Sequence, residues 1–285
     1  MIYLSKEDWN NLILFKLIKE ESFKQEFSEL YKIYNMIYLF CQKIYENPNL
    51  QQNIFIASQI IFHKYRICSN FSLSKFASEE IYISLGACLY IGQRSINILK
   101  TKIDDISSFI KQLINKKNPT FNVEIINLNK KLIQKEYDIL TVIGFNIEID
   151  SPFLFFDKLK DYLSKFKLNL ENFFILLNYI IKDSYIMPLS LYYTPNVIVI
   201  SCIKIIKEKY NLKFIKIKEI ISLSEYIVDE EEIKKCTALI EKIEAEIKNK
   251  KNHKNYNNNM IKKEKEEKEG NIKENHISSK PLYQK

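Results

Sequence analysis

Glycine is scarce. Only Gly86, Gly92, Gly144 and Gly270 occur among 285 residues, together with six prolines. Tight hairpins and phosphate-cradling loops both consume glycine, because they need positive φ or close backbone approach. No two of the four fall in a P-loop or dinucleotide-binding spacing, so those motifs are excluded. The poverty argues for helices joined by short loops. Paired cysteines are lacking too: Cys41, Cys68, Cys88, Cys202 and Cys236 lie far apart, with no CxxC among them. An odd count of this kind fits reduced, buried thiols in an intracellular protein. The three histidines, His63, His253 and His276, build no metal constellation with them. Neither a zinc site nor any cofactor is expected.

A basic folded surface is also missing. The net charge is +8, but residues 249–285 hold ten lysines and five glutamates, a contribution of +5. The first 248 residues keep +3, which argues against direct nucleic-acid binding by the folded part. The N-terminus carries Glu7 and Asp8 where a signal peptide would need a basic flank. Residues 184–203 carry no charge over twenty positions, enough to cross a bilayer. Pro188, Pro195 and Asn196 interrupt that stretch, and Pro195 reads as the start of a buried helix instead. No membrane span is expected.

What is present is helical periodicity, with 46% hydrophobic residues to build one large core or two smaller ones. A lead-in over 1–23 precedes a helix over 24–46, whose Phe27, Leu30, Ile33, Ile37, Phe40 and Cys41 recur at three and four. Asn47-Pro48-Asn49 punctuates its end. Further helices are expected near 53–66, 79–93, 103–115 and 128–143, the last stopped by Gly144. The pattern then repeats over 152–166, 170–183 and 195–209. The region 210–227 reads as one more short helix. A final helix starts near Val228, with acidic Asp229 to Glu232 at its N-terminus and Ile233, Cys236, Ile240, Ile243 and Ile247 on one face. From Asn249 the chain is Lys, Asn and Glu with little to bury, and disorder is expected. Two successive five-helix units are the economical reading.

Four stretches in order carry a family resemblance. Ala57 to Arg94 resembles the second and third helices of a cyclin box, with Phe62-His63-Lys64-Tyr65 leading in. Ala87-Cys88-Leu89-Tyr90-Ile91-Gly92-Gln93-Arg94 is similar to the family's A-C-L-F-L-A-x-K helix. Ile103-Asp104-Asp105-Ile106 resembles a fourth-helix start. Lys135 to Pro152 is similar to the fifth helix and exit of transcription-type cyclins. The second half, from Asn178 through LYYTPNVIVISCIKI, resembles cyclins K, L and T. The resemblance implies an all-α fold of two consecutive five-helix cyclin-box domains, over 24–147 and 148–248, with a disordered tail over 249–285.

It also implies a function: a non-catalytic subunit that binds and activates a cyclin-dependent protein kinase as a heterodimer. No small-molecule substrate is expected, and the location would be nuclear, with a cytoplasmic one left open. Two departures stand out. Ile96 and Asn97 replace two family glutamates, and residues 24–46 lack the arginine-centred motif by which cell-cycle cyclins dock substrates. The second absence favours a role in transcription or RNA processing.

Glu136 is odd before any family is invoked, because a carboxylate interrupts the apolar row between Leu132 and Leu140. Buried, it would need a cation or donors; at the row's margin it would reach solvent. Arg94 alone reads as a cation at a helix C-terminus. The resemblance pairs the two and gives them to the kinase backbone, with arginine in the place of lysine. It further implies kinase contacts for Tyr137, Leu140, Phe145 and Ile147, with core packing as the alternative for each, and a rim contact for Lys130. His63 reads as a half-buried helical histidine. Alternatives to the kinase reading are a cyclin-fold general transcription factor of the factor-IIB type and a helical scaffold.

Overall fold

The computed structural model describes residues 20–69, 79–97, 102–117, 124–166, 170–224 and 226–252, with the backbone alone for 20–22. The lead-in over 1–19, the 70–78 loop and the tail beyond 252 lie outside the described residues. Among the described residues every regular element is helical. The first five helices are α1 (Glu20–Ile44), α2 (Pro48–Cys68), α3 (Glu79–Ser95), α4 (Ile103–Lys117) and α5 (Ile125–Val142). Five more follow: α6 (Leu154–Ser164), α7 (Glu171–Ser184), α8 (Pro195–Lys209), α9 (Ile217–Ile221) and α10 over 230–252. A 3₁₀ turn at Leu189–Leu191 precedes α8. Residues Met1–Ile243 form one compact unit, and Glu244–Lys285 form a second.

Asn47 ends nothing by itself; it starts α2. Its side chain accepts from the backbone N–H groups of Asn49 at 2.9 Å and Leu50 at 3.2 Å, and Pro48 takes the first helical position. The helix therefore begins five residues earlier than the sequence periodicity suggests. Thr194 and Pro195 repeat the device at α8, where Thr194 Oγ1 accepts from Val197 N–H.

Helix α3 is the axis of the first set. It packs against α1, α2, α4 and α5, and is buried from Ile81 through Leu89. Two glycines let its neighbours approach. A Cβ on Gly92 would lie 2.6 Å from Ser58 Oγ and 2.9 Å from Ser58 N on α2, and one on Gly86 would meet Ile110, Ile106 and Leu132. In the second set α8 takes the matching place, packed against α7 and α9 and buried from Asn196 through Ile203.

His63 is fully buried, not half-buried as its sequence context suggests. Its Nε2–H donates to the carbonyl of Tyr185, 122 positions along the chain, at 3.0 Å. Burial, aided by nearby Arg66, pushes its pKa down to about 3. The Tyr34 hydroxyl donates to Asp183 at 2.8 Å, tying α1 to the end of α7. Four of the five free cysteines are buried, and Cys68 is exposed. No described helix is long and apolar enough to cross a membrane.

Candidate functional site

Helix α5 has two apolar faces. Leu128, Leu132 and Ile139 form the inner one and are buried. Leu140, Ile133, Ile126 and Tyr137 lie beside it on a second face, rotated by roughly 100° or more from the inner row at 100° per residue. This face is open to solvent: Ile126 is 65%, Ile133 55% and Tyr137 60% exposed, while Leu140 is half-buried. From Ile126 to Leu140 the ridge is about 21 Å long.

Glu136 sits on the boundary between the two faces. It is 7% exposed, and its Oε1 accepts from Arg94 Nη1 at 2.6 Å. The carboxylate thus does not reach out to solvent at the row's margin. Arg94 projects from the last turn of α3, where the helix C-terminus favours a cation. Its guanidinium carbon stands 4.5 Å above the Tyr90 ring, and Nη2 donates to the Tyr90 hydroxyl at 3.2 Å. The arginine side chain remains 43% exposed. Burial pushes the Glu136 carboxyl above the usual carboxylate range, and the charge of Arg94 pulls it partly back. A partner covering the pair would strengthen the attraction by excluding water, and Arg94 keeps donors to spare.

The exit from α5 extends the ridge. Gly144 takes φ +67°, the left-handed residue that ends a helix, and Phe145 follows with φ +58°. A bulky residue there is strained. The turn is held by the Phe145 N–H donating to Leu140 O at 2.7 Å. Phe145 is consequently 60% exposed and faces Tyr137 edge-on, ring centres 6.5 Å apart. The chain beyond is fastened to α2: Lys64 Nζ donates to the carbonyls of Asn146 at 3.2 Å and Glu148 at 3.5 Å, and Ser151 donates to Asn53. Ile147 is half-buried within this strap, and Lys130 is exposed one turn from Ile126 and Ile133.

The structure therefore brings Arg94, Glu136, Tyr137, Leu140 and Phe145 together, with Ile147 and Lys130 at the two ends. Core packing accounts for neither Tyr137 nor Phe145. Ile126 and Ile133 were not among the residues expected from sequence. The signal for them is an apolar row at i, i+7, i+11 displaced from the core row.

No family model matches the sequence, and no curated protein matches it. Among solved structures the chain is similar to the X-ray structure of a viral cyclin from herpesvirus saimiri. The two are 15% identical, with a TM-score of 0.52, over 82% of this chain and 95% of that one. The fold is thus the cyclin-box fold, reached by a sequence far diverged from that neighbour.

Proposed function

We propose that the chain is a cyclin: the regulatory, non-catalytic partner of a cyclin-dependent serine/threonine kinase, acting in transcription or RNA processing, in the nucleus. The observation that carries this reading is the Arg94–Glu136 pair set into an exposed apolar ridge. Exposed apolar surface of this extent on a folded chain marks an interaction site. A charge pair with free donors at its edge suits backbone carbonyls at the end of a docked helix. In this reading residues 24–147 and 148–248 are the two boxes, and Arg94, Lys130, Glu136, Tyr137, Leu140, Phe145 and Ile147 contact the kinase. Ile126 and Ile133 join them.

The mechanism is allosteric. The ridge binds the kinase's regulatory helix more tightly in the arrangement where the catalytic Lys–Glu pair and activation segment are in place, and the population shifts toward it. The chain supplies differential binding energy and no chemistry. The likeness to cyclins K, L and T in residues 135–152 and 178–206, with the missing substrate-docking motif, supports the transcriptional class.

The test is capture of kinases from a nuclear extract by the full chain, beside the double variant Arg94→Glu/Glu136→Ala. A cyclin-dependent kinase held by the parent and lost from the variant supports the reading and the site. The same kinase on both moves the docking surface elsewhere. Retention of DNA and no kinase leaves the cyclin fold with a different function.

A further inference from the structure

We propose that a groove at the start of α6 and α8 binds a short, extended, basic segment of a partner protein, gripping one apolar side chain between carboxylates. The groove encloses about 290 Å³. That is below the roughly 300–1,000 Å³ of small-molecule sites and suits one or two side chains. Phe155 and Asn196 are its buried floor, and Leu154 and Tyr226 are its rim.

Three features point to a peptide. The rim is apolar and open: Leu154 is 72% exposed, and Ile227, next to Tyr226, is 100% exposed. Apolar side chains in such positions, around a preformed cavity, fit an anchor residue. Second, the walls are pinned before any ligand arrives. Asn196 Nδ2 donates to Ser224 Oγ at 2.7 Å, and the same oxygen accepts from the Tyr226 N–H at 3.1 Å. Ser151 Oγ accepts from the Phe153 N–H and donates to Asn53.

Third, the charge around the cavity opposes that of the chain. Asp150 lines the groove and is exposed, and Asp157 stands one position before the groove residue Lys158. Asp229, Glu230, Glu231 and Glu232 begin three residues after Tyr226, all exposed. Of these, Asp229 is engaged as a helix cap by the Glu231 N–H, and Asp157 pairs with Lys160 at 3.3 Å. Lys158 is the one cation among the residues lining the groove. On a chain of net charge +8, this concentration of carboxylates selects lysine or arginine beside the anchor. The groove shares no residue with the α3–α5 ridge, so it does not depend on the kinase reading.

The test uses the full chain and labelled heptapeptides with a central leucine, isoleucine, phenylalanine or tyrosine. One series flanks the centre with arginine and lysine, the other with glutamate. Fluorescence anisotropy should show a basic peptide bound and its acidic counterpart not, with binding weakened by salt. Ile227→Ser and Asp150→Lys, both at exposed positions, should each cost roughly tenfold or more in affinity, with melting curves unchanged. Tyr137→Ala should cost nothing. The proposal is overturned if no basic peptide binds, if acidic peptides bind as well, or if both groove variants bind like the parent. It is equally overturned if Tyr137→Ala removes the binding, which would place the peptide on the ridge.

Discussion

Helices α5 and α10 hold the same place in their two sets, the fifth in each, yet their outer faces differ in kind. Both bury an apolar row: Leu128, Leu132 and Ile139 in one, Ile233, Cys236 and Ile240 in the other. On the exposed side α10 shows Glu231, Lys234, Lys235 and Glu241, a face that water solvates well, whereas α5 shows Ile126, Ile133 and Tyr137. A duplicated helical frame needs only the inner row to fold. The outer row of α5 is therefore surplus to folding, and surplus apolar surface is what a partner uses. The third helices differ in a parallel way. α3 admits α2 through Gly92, while α8 places Ser201 at a buried position, where its hydroxyl donates to the Ile233 carbonyl at 3.2 Å.

The contrast is broken most sharply at the outer faces. Ile133→Asp should lower affinity for the captured kinase on the order of 30- to 100-fold, the range of a central hot spot, by calorimetry at matched concentration. Lys234→Asp on α10 should stay within about twofold. Equal losses would mean that the two faces do not differ in role.

The third helices offer the next test. Gly92→Ala forces a Cβ against the Ser58 backbone, and should cost about 1–3 kcal/mol in urea unfolding. Ser201→Ala should cost less than about 1 kcal/mol, because the Ile233 carbonyl keeps the Thr237 hydroxyl at 2.7 Å. A larger loss from the serine would reverse the comparison.

The joint between the sets should respond to acid. His63 stays neutral when folded, with its pKa down at about 3, against about 6.5 unfolded. The unfolded chain binds the proton first, so this contribution to stability is full above about 6.5 and shrinks as pH falls towards 3, by about 1.4 kcal/mol per unit. His63→Asn should flatten that part of the slope between pH 6.5 and 5.5. An unchanged slope would remove His63 as the cause.

The smallest effect sharpens the separation of folding from binding. Arg94→Gln should change stability by less than about 1 kcal/mol, because the half-exposed guanidinium is well screened, while kinase capture weakens strongly. A stability loss above that would make the pair a structural bridge.

Much of the frame was legible in the sequence because caps and breakers are local. α8 starts at Pro195 and ends at Lys209 as expected, since Thr194 and Pro195 fix its start. Gly144 ends α5 as expected, with the positive φ such a stop requires. Asn47-Pro48 was half-legible: one triplet closes α1 and caps α2, and periodicity shows only the first. α10 continues to 252, past the point where composition ceases to offer burial.

In the site, Arg94 and Glu136 could be paired by resemblance alone, since their 2.6 Å contact joins positions 42 apart. Ile126 and Ile133 stayed hidden because an apolar residue at helical spacing reads as core until the neighbouring helices are placed. His63 stayed hidden for the same reason: the carbonyl opposite it belongs to Tyr185.

The stacking of Arg94 on Tyr90 bears on the time course of docking. A free arginine samples many rotamers, and holding it in one costs up to about 2 kcal/mol of entropy. Here the guanidinium already rests on the ring and against the carboxylate while the surface is empty. A partner arriving at the ridge therefore meets a contact that needs no search. That saving falls on the encounter step, and Tyr90 governs it without touching the partner.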